Sequence, residues 1–219
     1  MTVVIALGGS LLNLKHLEGI RNLGTMFARI GRVVPLYVVT GGGKTARAYI
    51  RTGRSLEASE ATLDQLGIAT TRLNALLMKA AIGDTRPVPS TIDEAADMVS
   101  PVVMGGTTPG HSTDAVGALL AQAVSAERFI IATDVDGIYT TDPKLDIRAT
   151  RYSLISITEL QSMCPDVWER AGTSSVIDGI ACRIIAEARI PTFVLNGNDL
   201  ESLENAIYGR EFIGTIIEV

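Results

Sequence analysis

Apolar residues along the chain fall into short unbroken runs alternating with segments of helical period. Val3-Val-Ile-Ala-Leu7 is apolar throughout, as a strand covered on both faces should be. Leu17, Ile20, Leu23, Met26, Phe27 and Ile30 recur at the spacing of one helix face. Val33 to Val39 reads as a second strand, ending at Thr40 and three glycines. Helical stretches follow over Lys44–Arg51 and Glu57–Ala81, the second carrying Leu63, Leu66, Leu73 and Leu77. Further on, the pattern predicts a strand Pro101–Met104, a helix Asp114–Val124 and a strand Phe129–Ala132. A helix Ser175–Ala188, a strand Thr192–Leu195, a helix Asp199–Tyr208 and a strand Thr215–Glu218 complete the series. Strands alternating with helices predict an α/β fold, a mostly parallel sheet covered on both faces. No linker rich in proline, serine or charge divides the chain, so a single domain is expected over residues 1–219.

Composition narrows the function classes. Nineteen basic against 24 acidic residues give a formal charge of −5, which argues against wholesale binding of nucleic acid but leaves room for a local anion pocket. The two cysteines, Cys164 and Cys182, lie in no CxxC or His-rich context, so neither a zinc site nor a disulfide framework is suggested. No apolar run approaches the roughly 18 residues of a membrane span, and the N-terminus has no basic, cleavable leader. A cytoplasmic location is expected.

Glycines carry the chemistry. Gly8-Gly9-Ser10, Gly41-Gly42-Gly43 and Gly105-Gly106 each follow a predicted strand, at the edge where such sheets bind ligands. Glycine lets backbone N–H groups approach a phosphate, and a helix starting just beyond adds its positive end. Gly43-Lys44-Thr45 imitates the end of a P-loop, but Val38 stands where that motif needs its leading glycine. Gly41-x-Gly43-x-x-Ala46 imitates a dinucleotide fingerprint, yet Glu57, Glu60 and Asp64 lie in helical sequence and not at the end of a next strand. The hydroxyl-rich segment Gly105–Asp114 runs into an apolar helix, with Ser112 or Thr113 as its cap. Thr107, Thr108, Ser112 and Thr113 offer donors to a phosphate or a ribose. Asp114 suits orienting a cation or accepting from an amine better than touching phosphate directly. Ala132–Lys144 mixes Asp, Gly, Tyr and Pro as a structured loop does, and Tyr139 offers a ring face to a base.

Together, IALGGSLL, VVTGGGKTARAYI, LDQLGIATTRLNALL, GGTTPGHSTDAVGALLA, ATDVDGIYTTDPK, AGTSSVID, IPTFVLNG and GTIIEV resemble the amino acid kinase superfamily, specifically its archaeal-type uridylate kinases. The resemblance covers essentially the whole chain. It implies a three-layer αβα sandwich, transfer of the ATP γ-phosphoryl group to UMP with Mg2+ in pyrimidine nucleotide synthesis, and a homohexamer. By position it places Ala6, Leu7, Gly8, Gly9, Ser10, Gly42 and Arg47 at the ATP phosphates, and Thr133, Asp134, Tyr139 and Asp142 at adenosine. Gly41, Asp64 and the loop Thr107, Thr108, Pro109, Gly110, His111, Ser112 and Thr113 would hold UMP. No protein side chain is assigned as a metal ligand, Mg2+ being carried by ATP.

One position departs from the family pattern. Many relatives carry a lysine two residues before the first glycine pair, where this chain has Ala6, while a second basic residue appears late as Arg183. Lys44, Arg47 and Mg2+ are the candidates to supply the missing charge, so Lys44, Arg47 and Asp114 are taken as the catalytic set. A kinase for another small acceptor, or a non-catalytic nucleotide sensor, remains the alternative.

Overall fold

A computed structural model of the chain describes residues 1–141, 143, 145–164 and 177–219. Its elements are β1 (Val3–Leu7), α1 (Leu17–Ile30), β2 (Leu36–Thr40), α2 (Gly43–Ser55), α3 (Glu60–Ile82), α4 (Ile92–Ala96), β3 (Val102–Met104) and α5 (Thr113–Ala123). They continue with β4 (Arg128–Thr133), β5 (Leu154–Ser156), α6 (Ile157–Met163), α7 (Gly179–Ala188), β6 (Thr192–Asn196), α8 (Leu200–Tyr208) and β7 (Gly214–Glu218). One seven-stranded sheet runs in the order β3-β2-β1-β4-β6-β7-β5. The first five strands in that order are mutually parallel. β7 turns back antiparallel on β6, and β5 follows β7.

Both faces of the sheet are covered, because successive strand residues point to opposite sides. Val4 and Ala6 of β1, with Tyr37, Val39, Phe129 and Ile131, face a core closed by α4, α5, α6 and α7. Val3, Ile5 and Leu7, with Leu36, Val38, Ile130 and Ala132, face a second core closed by α1, α3 and α8. The three-layer αβα sandwich follows directly from that alternation. α2 lies outside this frame and packs on α3 through Ala46, Ile50 and Leu63.

Several boundaries differ from the pattern. The second strand begins at Leu36 and not Val33, because the N–H groups of Val33 and Val34 both bond back to the Ile30 carbonyl and close α1. α3 starts at Glu60, where the Ser59 hydroxyl accepts the Thr62 N–H as a cap, after Glu57 has taken a left-handed φ of 59°. β3 starts at Val102, since Pro101 has no N–H for the ladder. The start of the expected Ser175–Ala188 helix lies outside the described residues; the helix is described from Gly179. α4, β5 and α6 went unread from the sequence, being too short for a periodic signal.

Candidate active site

β1, β2, β3, β4 and β6 all end at one edge of the sheet, so the loops after them converge there. The strand order reverses direction at β1, where an open parallel sheet leaves a crevice. The first two glycine clusters meet in it, backbone against backbone. A Cβ on Gly9 would stand 2.2 Å from the Gly43 nitrogen and 2.6 Å from the Gly41 oxygen. Gly43 holds a φ of +60°, open to glycine at no cost, and begins α2. Gly41 N–H bonds to the Leu7 carbonyl and Gly8 N–H to the Ala132 carbonyl, each at 2.8 Å, which ties the ends of β1, β2 and β4 together.

Two helix N-termini point into this edge. α2 starts from Gly42 without a side-chain cap. α5 is capped by Ser112, whose hydroxyl accepts the Ala115 N–H at 3.0 Å. Thr113 approaches the Gly41 turn, its Oγ1 3.2 Å from where a Gly41 Cβ would be. Free N–H groups and aligned peptide dipoles make this a ready anion site. Lys44 and Arg47 lie exposed on the first turns of α2, and neither forms an ion pair among the described residues.

The loop after β3 lies along α3. Gly106 N–H bonds to the Thr71 hydroxyl at 2.7 Å, and Gly110 N–H bonds to Asp64 Oδ2 at 3.0 Å. Thr107 is half-buried, whereas Thr108 and Pro109 are exposed. His111 is half-buried, and its Nδ1 is enclosed without a hydrogen-bond partner. The family resemblance pairs Asp64 with the Thr107–Thr113 loop, and in space Asp64 meets that loop at Gly110.

Asp114 sits on the first turn of α5. Burial, then the neighbouring charge of Asp178, pushes its carboxyl up to about 8. Ala6 lies beneath the same helix, 1% exposed, with its Cβ 3.3 Å from where Gly117 would carry one. A lysine at position 6 would start from this face, one turn below Asp114; alanine leaves the carboxyl with no cation from that strand. Leu7 is likewise buried, on the opposite face of β1, and its carbonyl is taken by Gly41. From β1 the loop side chain nearest the crevice is therefore Ser10, half-buried beside Gly8.

Thr133 ends β4, and the loop beyond it carries Asp134 and Tyr139; Asp142 lies outside the described residues. Asn196, at the end of β6, donates to Asp136 at 2.9 Å. Thr215 of β7 accepts the Ile138 N–H at 2.9 Å and donates to the Tyr152 carbonyl. Tyr139 and Arg151 form an antiparallel bridge that closes this loop. Arg183 is exposed on α7.

Four polar residues at the site, Thr40, Thr71, Asn74 and Asp178, lie in segments that carry the family resemblance but receive no role from the sequence. Asn74 falls at a core register of α3, 6% exposed beside Ala75 and Met78, and an asparagine there is a readable anomaly. Asp178 is the N-cap of α7, accepting the Ala181 N–H at 3.0 Å. Starting that helix at Ser175 hid its cap.

The model of the amino acid kinase family matches residues 1–196. The chain belongs to the amino acid kinase family. Among curated amino acid kinases, it is 43% identical over 221 residues to a protein named uridylate kinase from Archaeoglobus fulgidus, covering 99% of this chain and 100% of that one. A uridylate kinase from Methanocaldococcus jannaschii is 41% identical, with both chains covered completely. The crystal structure of the Archaeoglobus fulgidus uridylate kinase superposes with a TM-score of 0.88 at 42% identity over 99% of this chain and 100% of that one. A UMP kinase structure from Ureaplasma parvum, 20% identical, reaches 0.81 over 100% of this chain and 99% of that one and shows the shared fold. The amino acid kinase sheet thus keeps its form where less than a quarter of the sequence does.

Proposed function

We propose that this chain is a uridylate kinase, moving the γ-phosphoryl group of ATP to UMP and releasing ADP and UDP. The carrying observation is the abutment of Gly9 on the Gly41–Gly43 turn between two helix N-termini, with a hydroxyl-rich acceptor loop alongside. Relatives of the same length named uridylate kinase support the choice of acceptor.

In this reading the ATP phosphates lie over Gly8, Gly9, Ser10 and Gly42, and adenosine lies against Thr133, Asp134, Tyr139 and Asp142. Gly41, Asp64 and the Thr107–Thr113 loop receive UMP. Asp64 spends one oxygen on Gly110, and its second is free to accept from a ribose hydroxyl. His111 Nδ1, enclosed and without a partner, is offered to the bound nucleotide. The attacking atom is an oxygen of the UMP phosphate, already ionised near neutral pH since the second phosphate pKa is about 6. Its lone pair forms the new bond to Pγ as the bond to the bridging oxygen breaks, and ADP leaves with that electron pair. No general base is needed. Catalysis is positioning plus neutralisation of charge on the transferred group. Lys44 and Arg47 supply positive charge from α2. Asp114, whose carboxyl burial and the Asp178 charge push up to about 8 in the nucleotide-free chain, stands beside these groups on the first turn of α5.

Mg2+ would be carried by the ATP phosphates and would neutralise their charge, and the glycine amides and hydroxyls that dominate the crevice would hold the phosphates that carry it. A single domain, a homohexamer and a cytoplasmic setting belong to the same proposal. No described helix is long and apolar enough to cross a membrane.

A coupled ADP-release assay with ATP, Mg2+ and a panel of nucleoside monophosphates and amino-acid acceptors tests the reading. UMP should be preferred by orders of magnitude, since a site that hydrogen-bonds one base rejects mismatched ones by up to about 10⁴-fold. Equal rates with AMP or GMP would overturn it. Bound nucleotide without turnover would favour a sensor, the reading that Ala6 alone supports.

A further inference from the structure

Three polar side chains on α3 are each fastened to a different part of the site, and two of them have no role in the reaction described above. Asp64 accepts from Gly110 N–H, Thr71 accepts from Gly106 N–H, and Asn74 donates from Nδ2 to the Gly41 carbonyl at 2.7 Å. Positions 64, 71 and 74 fall on one helix face, two turns and then one turn apart. Burying an amide at position 74 is costly unless it is matched, and its match is the turn against which Gly9 rests.

Neighbouring contacts make the arrangement stiff. The Thr71 hydroxyl donates to the Ile68 carbonyl at 2.6 Å, so its proton is committed and its lone pair faces Gly106. Thr40, fully buried at the end of β2, donates to the Thr71 carbonyl at 2.9 Å and approaches the Met104 carbonyl at 3.2 Å. The ends of β2 and β3 are thereby held to one turn of α3. Gly105 lies so close that a Cβ would stand 2.7 Å from the Arg72 nitrogen. At Gly105 the acceptor loop thus rests on the helix backbone, with the Thr71 hydroxyl alongside, 2.8 Å from the same Cβ position.

We propose that Thr71 and Asn74 are positioning residues that set the distance between acceptor and donor, Thr71 through the Gly106 backbone and Asn74 through the Gly41 backbone. The identity of the acceptor rests on the uridylate kinase reading; the geometry does not. Neither side chain touches substrate. Thr71 holds the acceptor loop, and Asn74 holds the turn where the acceptor position Gly41 adjoins the donor position Gly42, in a reaction where misplacement by about 1 Å can cost ~10²-fold in rate.

The two positions should fail differently. Thr71→Val keeps the shape and removes the acceptor of the Gly106 N–H, so KM for UMP should rise about tenfold while KM for ATP stays within about twofold. Thr71→Ser restores the hydroxyl and should return both to within about threefold of wild type, and Thr71→Cys, a weak acceptor, should fall between. Asn74→Leu should lower kcat about tenfold or more with both KM values within about threefold, because the transfer distance changes while each nucleotide still binds. Thermal melts of each variant report folding. If Asn74→Leu fails to fold, the Thr71 series decides. Normal UMP affinity in Thr71→Val, or no rescue by serine, overturns the proposal; so does a fall in all parameters together, in step with lost folded protein. Calorimetric titration with UMP and with ATP reads the same split without turnover. A wild type that binds both nucleotides but transfers nothing therefore overturns the kinase reading alone, and one that binds neither overturns both.

Discussion

The Ser112 hydroxyl donates to the Asp178 carboxylate, joining the first turns of α5 and α7. Each partner also caps its own helix, Ser112 through Ala115 N–H and Asp178 through Ala181 N–H. Two helix starts are thus locked by one shared bond, and Asp114 sits immediately beyond it. The Asp178 charge, fixed in place by this bond, is one of the two influences that keep the Asp114 proton on.

Asp114 therefore predicts a pH dependence opposite to that of an ordinary paired carboxylate. Folded, it keeps its proton to about pH 8; unfolded, it releases it near pH 4. The folded chain binds the extra proton across that window, so stability falls as pH rises from about 4 to about 8, by at most ~1.4 kcal/mol per pH unit. Asp114→Asn should remove that slope, as should be seen in urea midpoints of nucleotide-free protein at about pH 5 and about pH 7.5. Identical slopes in the two proteins would contradict it. Among the described residues the charged group acting on Asp114 is Asp178, the N-cap of α7, and Asp114 in turn acts on Cys182 of that helix.

Lys44→Ala should lower turnover by ~10²–10³ with much smaller effects on either KM, because a cation aimed at charge that develops during transfer acts on the transition state. Arg47, one turn further on the same exposed face, is the competing residue. Near-normal turnover in Lys44→Ala with a dead Arg47→Ala would reassign the role.

Asp64→Ala should raise KM for UMP with little change for ATP, as loss of a ground-state contact does. Asp64→Asn keeps an oxygen for the Gly110 N–H and should be milder. Steady-state kinetics with each substrate varied in turn decides; loss of ATP affinity alone would reverse the two sites.

Gly9→Ala should abolish activity. Its Cβ would press into the Gly43 nitrogen and Gly41 oxygen, which are backbone atoms with no rotamer to yield. Gly83→Ala offers a control in open space, where only its φ of +83° is strained. Comparable activity in the two variants would mean that the glycine loops can separate without harm.

At the far end of α3, Lys79 and Asp84 form a buried ion pair that Arg86 completes by binding Asp84 at 2.9 Å and 3.0 Å. Burial pushes the Asp84 carboxyl up, yet the bonds from Arg86 and Lys79 together outweigh it and hold the carboxyl well below the usual range. Its contribution is present above about pH 4 and fades as acid protonates it. Asp84→Ala strands Lys79, whose side chain is 3% exposed, and should cost roughly 3–5 kcal/mol in a urea titration. A loss below about 1 kcal/mol would mean that the lysine finds water.

The sheet and the edge where its glycine loops gather were legible because unbroken apolar strands and glycines at their ends are local signals. Val3–Leu7 and Leu17–Ile30 match the predicted bounds residue for residue. The reversal of β7 was not legible: Thr215–Glu218 reads alike in either direction, and only pairing with Val194 and Leu195 sets its sense. At the candidate site, glycines and hydroxyls stand out by type, whereas Asp64 comes from the family resemblance. Thr71, Asn74 and Asp178 work through bonds to residues 35, 33 and 66 positions away, which no spacing along the chain displays. The burial of Ala6 under α5 was equally hidden, and with it the reason that position and Asp114 must be considered together.

The grip of Thr215 on the loop after β4 imposes an order of assembly. Ile138 and Thr215 lie 77 residues apart, whereas the glycine turns after β1 and β2 are complete within the first fifth of the chain. Synthesis delivers roughly 5–20 residues per second from the N-terminus. For the seconds before β7 leaves the ribosome, a growing chain holds its glycine turns without the strand that fastens the loop after β4. β7 is thus the latch on an edge of loops whose glycine turns are made far earlier.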